Sequence, residues 1–202
     1  MVTWATIGFQ MGVRSIERAY QESRKTFERE KETVELRMDE IQASIAAASD
    51  GDDERDYVDH LIDLDWEAEQ SLKTLREAFV MMIYHFWEIQ CRTSLGGKTF
   101  KEWIGYAKDR REYQFDQDGL DRLRMIVNCV KHGDAKQRNR PRLLDVAPEL
   151  FDASLVQTAT EEDDFRIALR LRDEDVTAAF AVVKASGPRS DYSDKGFEEI
   201  EL

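Results

Sequence analysis

The strongest constraint on this chain is a seven-residue apolar seam. Val13, Tyr20, Phe27, Val34, Ile41 and Ala48 recur at every seventh position, with Ile16, Met38 and Ile45 between them. Such spacing puts a narrow apolar stripe along a charged rod, the signature of a helix that lies against another helix. Residues 14 to 48 are therefore predicted to form one continuous helix, roughly 50 Å long at about 1.5 Å per residue. The chain has only three prolines and ten glycines in 202 residues, so little interrupts long helices.

The acidic stretch SDGDDERD follows and is read as a turn that places negative charge at the next helix N-terminus. Its carboxylates do not have the spacing of an EF-hand loop. A second helix is predicted from about 56 to 94, with Leu61, Leu64, Ala68, Leu72, Leu75, Phe79, Met82, Phe86 and Ile89 stepping by three and four. Its second half also carries Val80, Met81, Ile83, Tyr84 and Trp87, which makes it apolar around most of its circumference and suits the centre of a bundle. His85 in that run reads as a core histidine, with Glu88 one turn later as its partner or a partner of the His132 region. His60 reads as a surface residue. A short helix over 98 to 107 turns Phe100, Trp103 and Ile104 inward. Another, from about Asp118 to a terminating Gly133, puts Leu120, Leu123, Ile126, Val127 and Val130 on one face.

Beyond Phe151 the period changes. In FRIALRL, Phe165, Ile167, Leu169 and Leu171 alternate with Arg166, Ala168 and Arg170, the period of a strand. SLVQTA, residues 154 to 159, would pair with it across an EEDD turn. Asp173 would cap a last helix with Val176, Phe180 and Val183 on its apolar face. The expected fold is mainly α: a helical bundle with a long antiparallel helical hairpin and a small C-terminal β-hairpin plus helix. Residues 1–150 form the bundle, including the hairpin over 14–94. Residues 151–187 form a strand and helix appendage, and 188–202 an acidic tail.

The most apolar internal run, AFVMMIYHFWEIQC, is too short to span a bilayer and carries His85 and Glu88, so no membrane span is expected. The N-terminal MVTWATIGFQMGVR has no basic leader or clear cleavage site and is not expected to act as a signal peptide. Cys91 and Cys129 sit in apolar helical patterns and match no disulfide or zinc spacing. A reduced, cytoplasmic protein without metal or cofactor is the expectation.

Charge is distributed unevenly. The net formal charge is −13, yet Asp121 to Arg142 holds seven basic residues against two acidic ones, an excess of five positive charges that leaves the remainder at −18. Within this island Asp121, Arg124, Asn128 and His132 share a polar stripe on the helix that ends at Gly133, and the basic run KQRNRPR follows.

The spacing Asn128-x-x-x-His132 on the motif helix of an all-α bundle resembles the HEPN superfamily, whose members include RNA-cleaving toxins and antiviral-defence effectors. The likeness covers about residues 60 to 134. In that family an arginine usually precedes the Asn; here Val127 stands there, and the nearest upstream arginine is Arg124. The resemblance implies metal-independent RNA cleavage by a homodimer whose two motif helices form a composite cleft, in a bacterial stress or antiviral-defence setting. His132 would move the proton between the 2′-hydroxyl and the leaving oxygen, since histidine titrates near neutrality. Arg124 would reach a phosphate, and Asn128 would orient the imidazole or the sugar. Lys131, Lys136, Arg138, Arg140 and Arg142 would guide RNA to the cleft.

A reading of another class stands beside this one. His132 in a last helical turn stabilises the helix dipole, and Arg124 pairs with Asp121 three residues away. On that view the chain is a non-catalytic helical subunit that assembles with a larger effector protein through the long hairpin and the motif helix.

Overall fold

The structure, a computed structural model, describes residues 4–47, 52–96, 99–109, 113–133, 143–158 and 165–188. They form a mainly helical bundle dominated by two long helices, α1 (Trp4–Ala47) and α2 (Asp52–Leu95). Shorter helices follow: α3 (Phe100–Lys108), α4 (Gln117–His132), α5 (Leu143–Val146), α6 (Ala153–Thr158) and α7 (Asp173–Lys184), with a 3-10 turn at Pro148–Leu150 between α5 and α6. Among the described residues there is no sheet, only isolated antiparallel bridges pairing Tyr113 with Pro188 and Phe151 with Leu169. No described helix is long and apolar enough to cross a membrane.

The chain divides into two compact units, one of Met1–Glu17 with Glu77–Leu202, the other Arg18–Arg76. α1 meets α2 through the Phe9 and Phe86 rings in the first, 5.7 Å apart, and through Lys31 and Glu69 in the second, at 2.8 Å.

The first unit is built around Trp87, which is fully buried. Its ring lies 5.8 to 6.1 Å from those of Tyr84, Phe100, Trp103 and Phe115. Its indole N–H donates to the Ser186 carbonyl at 2.5 Å, so the turn after α7 is bonded to the middle of this apolar mass. That turn collects other segments too. The Asp116 amide donates to the Ser186 hydroxyl and the Gln114 amide to the Gly187 carbonyl, both at 3.0 Å. A Cβ on Gly187 would collide with the Phe9 ring, so only glycine lets α1 approach this closely.

α4 lies against α7 and α5 with Leu120, Leu123, Ile126, Val127 and Val130 buried, the face expected from its pattern. Asp116 caps its start by accepting from the Gly119 amide at 2.9 Å. Gly133, with φ of 65°, ends it in the left-handed region, where a side chain would be strained. α7 runs as its apolar spacing predicts, with Val176, Phe180 and Val183 buried.

The expected C-terminal β-hairpin is corrected on both described flanks, while its turn at 159–164 lies outside the described residues. Residues 153 to 158 are helical, because the Asp152 carboxylate accepts from the Ser154 and Leu155 amides at 3.0 and 3.4 Å and nucleates a turn. Phe165 to Ala168 form a turn closed by amide bonds from Ala168 and Leu169 to the Phe165 carbonyl. Ile167 therefore faces solvent, although the alternation had placed it on the same face as Phe165 and Leu169. Only Leu169 retains a strand-like pairing. The acidic tail and the basic residues Lys136, Arg138, Arg140 and Arg142 lie outside the described residues.

Replacing Trp87 tests the centre of this unit. Trp87→Ala is expected to cost about 3–5 kcal/mol of unfolding free energy. Trp87→Phe keeps a ring but leaves the Ser186 carbonyl without its donor, a loss of about 1–3 kcal/mol. Urea denaturation followed by far-UV circular dichroism gives both values.

Candidate functional site

The polar stripe of α4 separates into two places. Arg124 donates from Nη2 to the Asp121 carboxylate at 3.0 Å, and its guanidinium carbon lies 4.6 Å from the centre of the Phe100 ring. A helical side chain leans toward the N-terminus of its helix, so an i,i+3 partner below it captures the guanidinium readily. Only 20% of the side chain remains exposed, and its Nε is buried without a hydrogen-bond partner among the described residues. Asn128 is half-buried one turn above, and His132 and Lys131 are exposed at the helix end. Arg124 and His132 start about 12 Å apart along the axis, and the arginine reaches away from the histidine. The structure brings Arg124 to Asp121 and Phe100; it does not bring Arg124, Asn128 and His132 to one point within a single chain.

Arg124 instead faces a cleft of about 510 Å³ between the start of α3 and the first half of α4, lined by Thr99, Phe100, Lys101, Ile104, Gly105, Gln117, Asp121 and Arg124. Thr99 and Glu102 cap α3 reciprocally: the Thr99 amide donates to the Glu102 carboxylate at 3.0 Å and the Glu102 amide to the Thr99 hydroxyl at 3.3 Å. The cleft carries mixed charge, with Lys101 and Arg124 against Asp121. Neither Asn128 nor His132 lines it.

The α2 face beside α4 holds polar groups that periodicity had hidden. His85, expected in the core, is half-exposed, and its Nδ1 lies 2.7 Å from the Glu88 carboxylate. Helical spacing explains this, since His85 lies about 100° or more around α2 from each of Val80, Ile83, Tyr84 and Trp87, while Glu88 stands at the border between that arc and His85. Burial raises the Tyr84 phenol far above its ordinary value, Glu88's charge adds to this, and Arg124 opposes it. Burial, with a smaller push from Glu88, also lifts the Cys91 thiol to about 12. Tyr84 and Glu88 thus share the environment of Arg124 and Asp121. The available signal was a carboxylate four residues after a tyrosine in the apolar run of α2.

These groups limit the chemistry. Cys91 and Cys129 are buried, and the Cys91 thiol, held protonated by that burial, is a poor nucleophile. Among the described residues no group of three histidine, cysteine or carboxylate side chains is placed to hold a metal. His85–Glu88 orients an imidazole, but no cleft-lining residue joins it in an acid–base pair.

Fold and site together define a helical bundle with a mixed-charge cleft between α3 and α4. In comparison with known proteins, no family model, no curated protein and no solved structure matches the chain.

The raised Tyr84 and Cys91 values have a stability consequence with a definite sign. Folded protein keeps protons that the unfolded chain releases above the ordinary thiol and phenol values of 9.0 and 10.0. Their contribution is complete below those values and is lost as pH rises through and beyond them. The urea midpoint is expected to fall as pH rises from the ordinary thiol value of 9.0 toward about 12, and Tyr84→Phe to flatten the part of that fall above pH 10.0. An equally steep fall in the variant would show that Tyr84 is not the source.

Proposed function

We propose that this chain is a HEPN-like helical protein that serves as a non-catalytic subunit, assembling with a larger protein through its long hairpin and the polar face of α4. One observation carries the proposal. Val127, at the position where the resembled motif has its arginine, is 1% exposed and packed in the core face of α4. An arginine there would bury an unpaired charge, at a cost of several kcal/mol. The nearest candidate, Arg124, is held by Asp121 and Phe100 and directed away from His132. The residues that the resemblance would cast as phosphate clamp and proton carrier thus do not converge within one chain, which supports a protein relieved of catalysis.

A second reading keeps RNA as the ligand. His132 and Lys131 are exposed at the end of α4, adjoining in sequence the run with Lys136, Arg138, Arg140 and Arg142. An exposed histidine is what a composite site across a homodimer would need. This reading retains the stress or antiviral-defence setting implied by the resemblance.

Purified protein and a His132→Ala variant incubated with mixed RNA in EDTA distinguish the two. The subunit proposal predicts no His132-dependent cleavage, and predicts that the chain isolated from its own cells is held at fixed stoichiometry with a second, larger polypeptide. EDTA-resistant cleavage by the native protein that disappears in His132→Ala overturns it in favour of the enzyme.

A further inference from the structure

The Arg18–Arg76 unit is poorly supplied with core. Among its described side chains, Tyr20, Leu61, Ala68 and Leu72 are buried, four against twenty-nine apolar side chains in the other unit. The α1 seam is only half-covered here: Phe27, Val34, Met38 and Ile41 are all half-buried. Two helices side by side shield an apolar stripe from one direction, whereas a bundle shields it from several. On the flank of α2, Ile62 and Trp66 lie one turn apart and are 49% and 63% exposed. A tryptophan this exposed leaves a large apolar surface in water, and such residues frequently anchor interfaces.

Charge specifies what would cover them. Residues 18 to 76 contain seventeen acidic and nine basic residues. From Asp59 to Leu72 there are five carboxylates, Asp59, Asp63, Asp65, Glu67 and Glu69, and no lysine or arginine. Glu69 is neutralised by Lys31 at 2.8 Å. Asp65 keeps one carboxylate oxygen buried without a hydrogen-bond partner among the described residues. A second copy of so acidic a unit would meet like charge. Basic side chains beside Trp66 would gain ion pairs with these carboxylates and cation–π contact with the indole.

From this exposed tryptophan, the half-covered seam and the surrounding carboxylates, we infer that the hairpin docks a basic amphipathic helix of a partner protein. The helix lays its apolar stripe over Ile62 and Trp66 and its lysines or arginines against Asp59, Asp63 and Glu67. This rests on the subunit reading and names the chemistry of its partner.

The test uses the whole chain and a fluorescein-labelled helical peptide of about 18 residues, with leucines on one face and lysines on the other. A matched peptide with glutamate in place of lysine serves as control. Anisotropy is expected to show binding of the lysine peptide only, weakened by salt, and weakened about tenfold or more by Trp66→Ala. Trp66→Ala removes no charge and alters an exposed site, so circular dichroism should be unchanged. The inference is overturned if the lysine peptide does not bind, if Trp66→Ala binds equally well, or if both peptides bind alike. It is also overturned if light scattering finds a native dimer that Trp66→Ala dissociates, because a second copy would then be the occupant. A negative peptide result beside an intact native complex removes this surface and leaves the subunit proposal standing. RNA cleavage dependent on His132 removes that proposal whatever the peptide does.

Discussion

The indole N–H of Trp87 bonded to the Ser186 carbonyl holds together segments 99 residues apart in sequence. A buried carbonyl without a donor is costly, and so is a buried indole; each resolves the other's need. Around that bond Tyr84, Phe100, Trp103 and Phe115 assemble, and the Ser186 hydroxyl then receives the amide that precedes α4. Phe100 extends the arrangement outward. It touches Trp87 at one side and lies beneath the Arg124 guanidinium at the other. The cation beside the cleft is therefore positioned through a short aromatic path from the centre of the fold.

That path explains why Arg124 and His132 differ although they share a helix face. Arg124 sits where α3 offers a ring and α4 offers Asp121. His132 sits in the last turn, beyond the reach of either. Helical spacing places residues on a common side; it does not make them converge, because each side chain answers to whatever neighbours its own turn meets. Val127 shows the same dependence from the adjoining core face, where α4 packs on α7 and α5.

Local pattern made most of the helices legible. The end of α4 follows from the apolar steps and Gly133, its start lies one residue before the expected Asp118, and α7 follows from Val176, Phe180 and Val183. The pairing of Arg124 with Asp121 was readable too, since it lies within one turn. What failed was decided by single polar atoms or by distance along the chain. Asp152 capped ASLVQT into a helix against its strand-like composition. The turn at Phe165 broke an alternation that looked continuous. His85 sat in an apolar run but on its outer side, paired with Glu88. The cleft depends on α3 lying beside α4, and nothing in either segment alone announces that neighbour.

The Gly133 carbonyl accepts the Phe165 amide at 3.0 Å, and Leu143 is buried. The described residues on either side of 134 to 142 are thus held by the body of the fold. The last turn of α4, which carries His132, is consequently tied to the turn that opens at Phe165 and does not rest on its glycine cap alone.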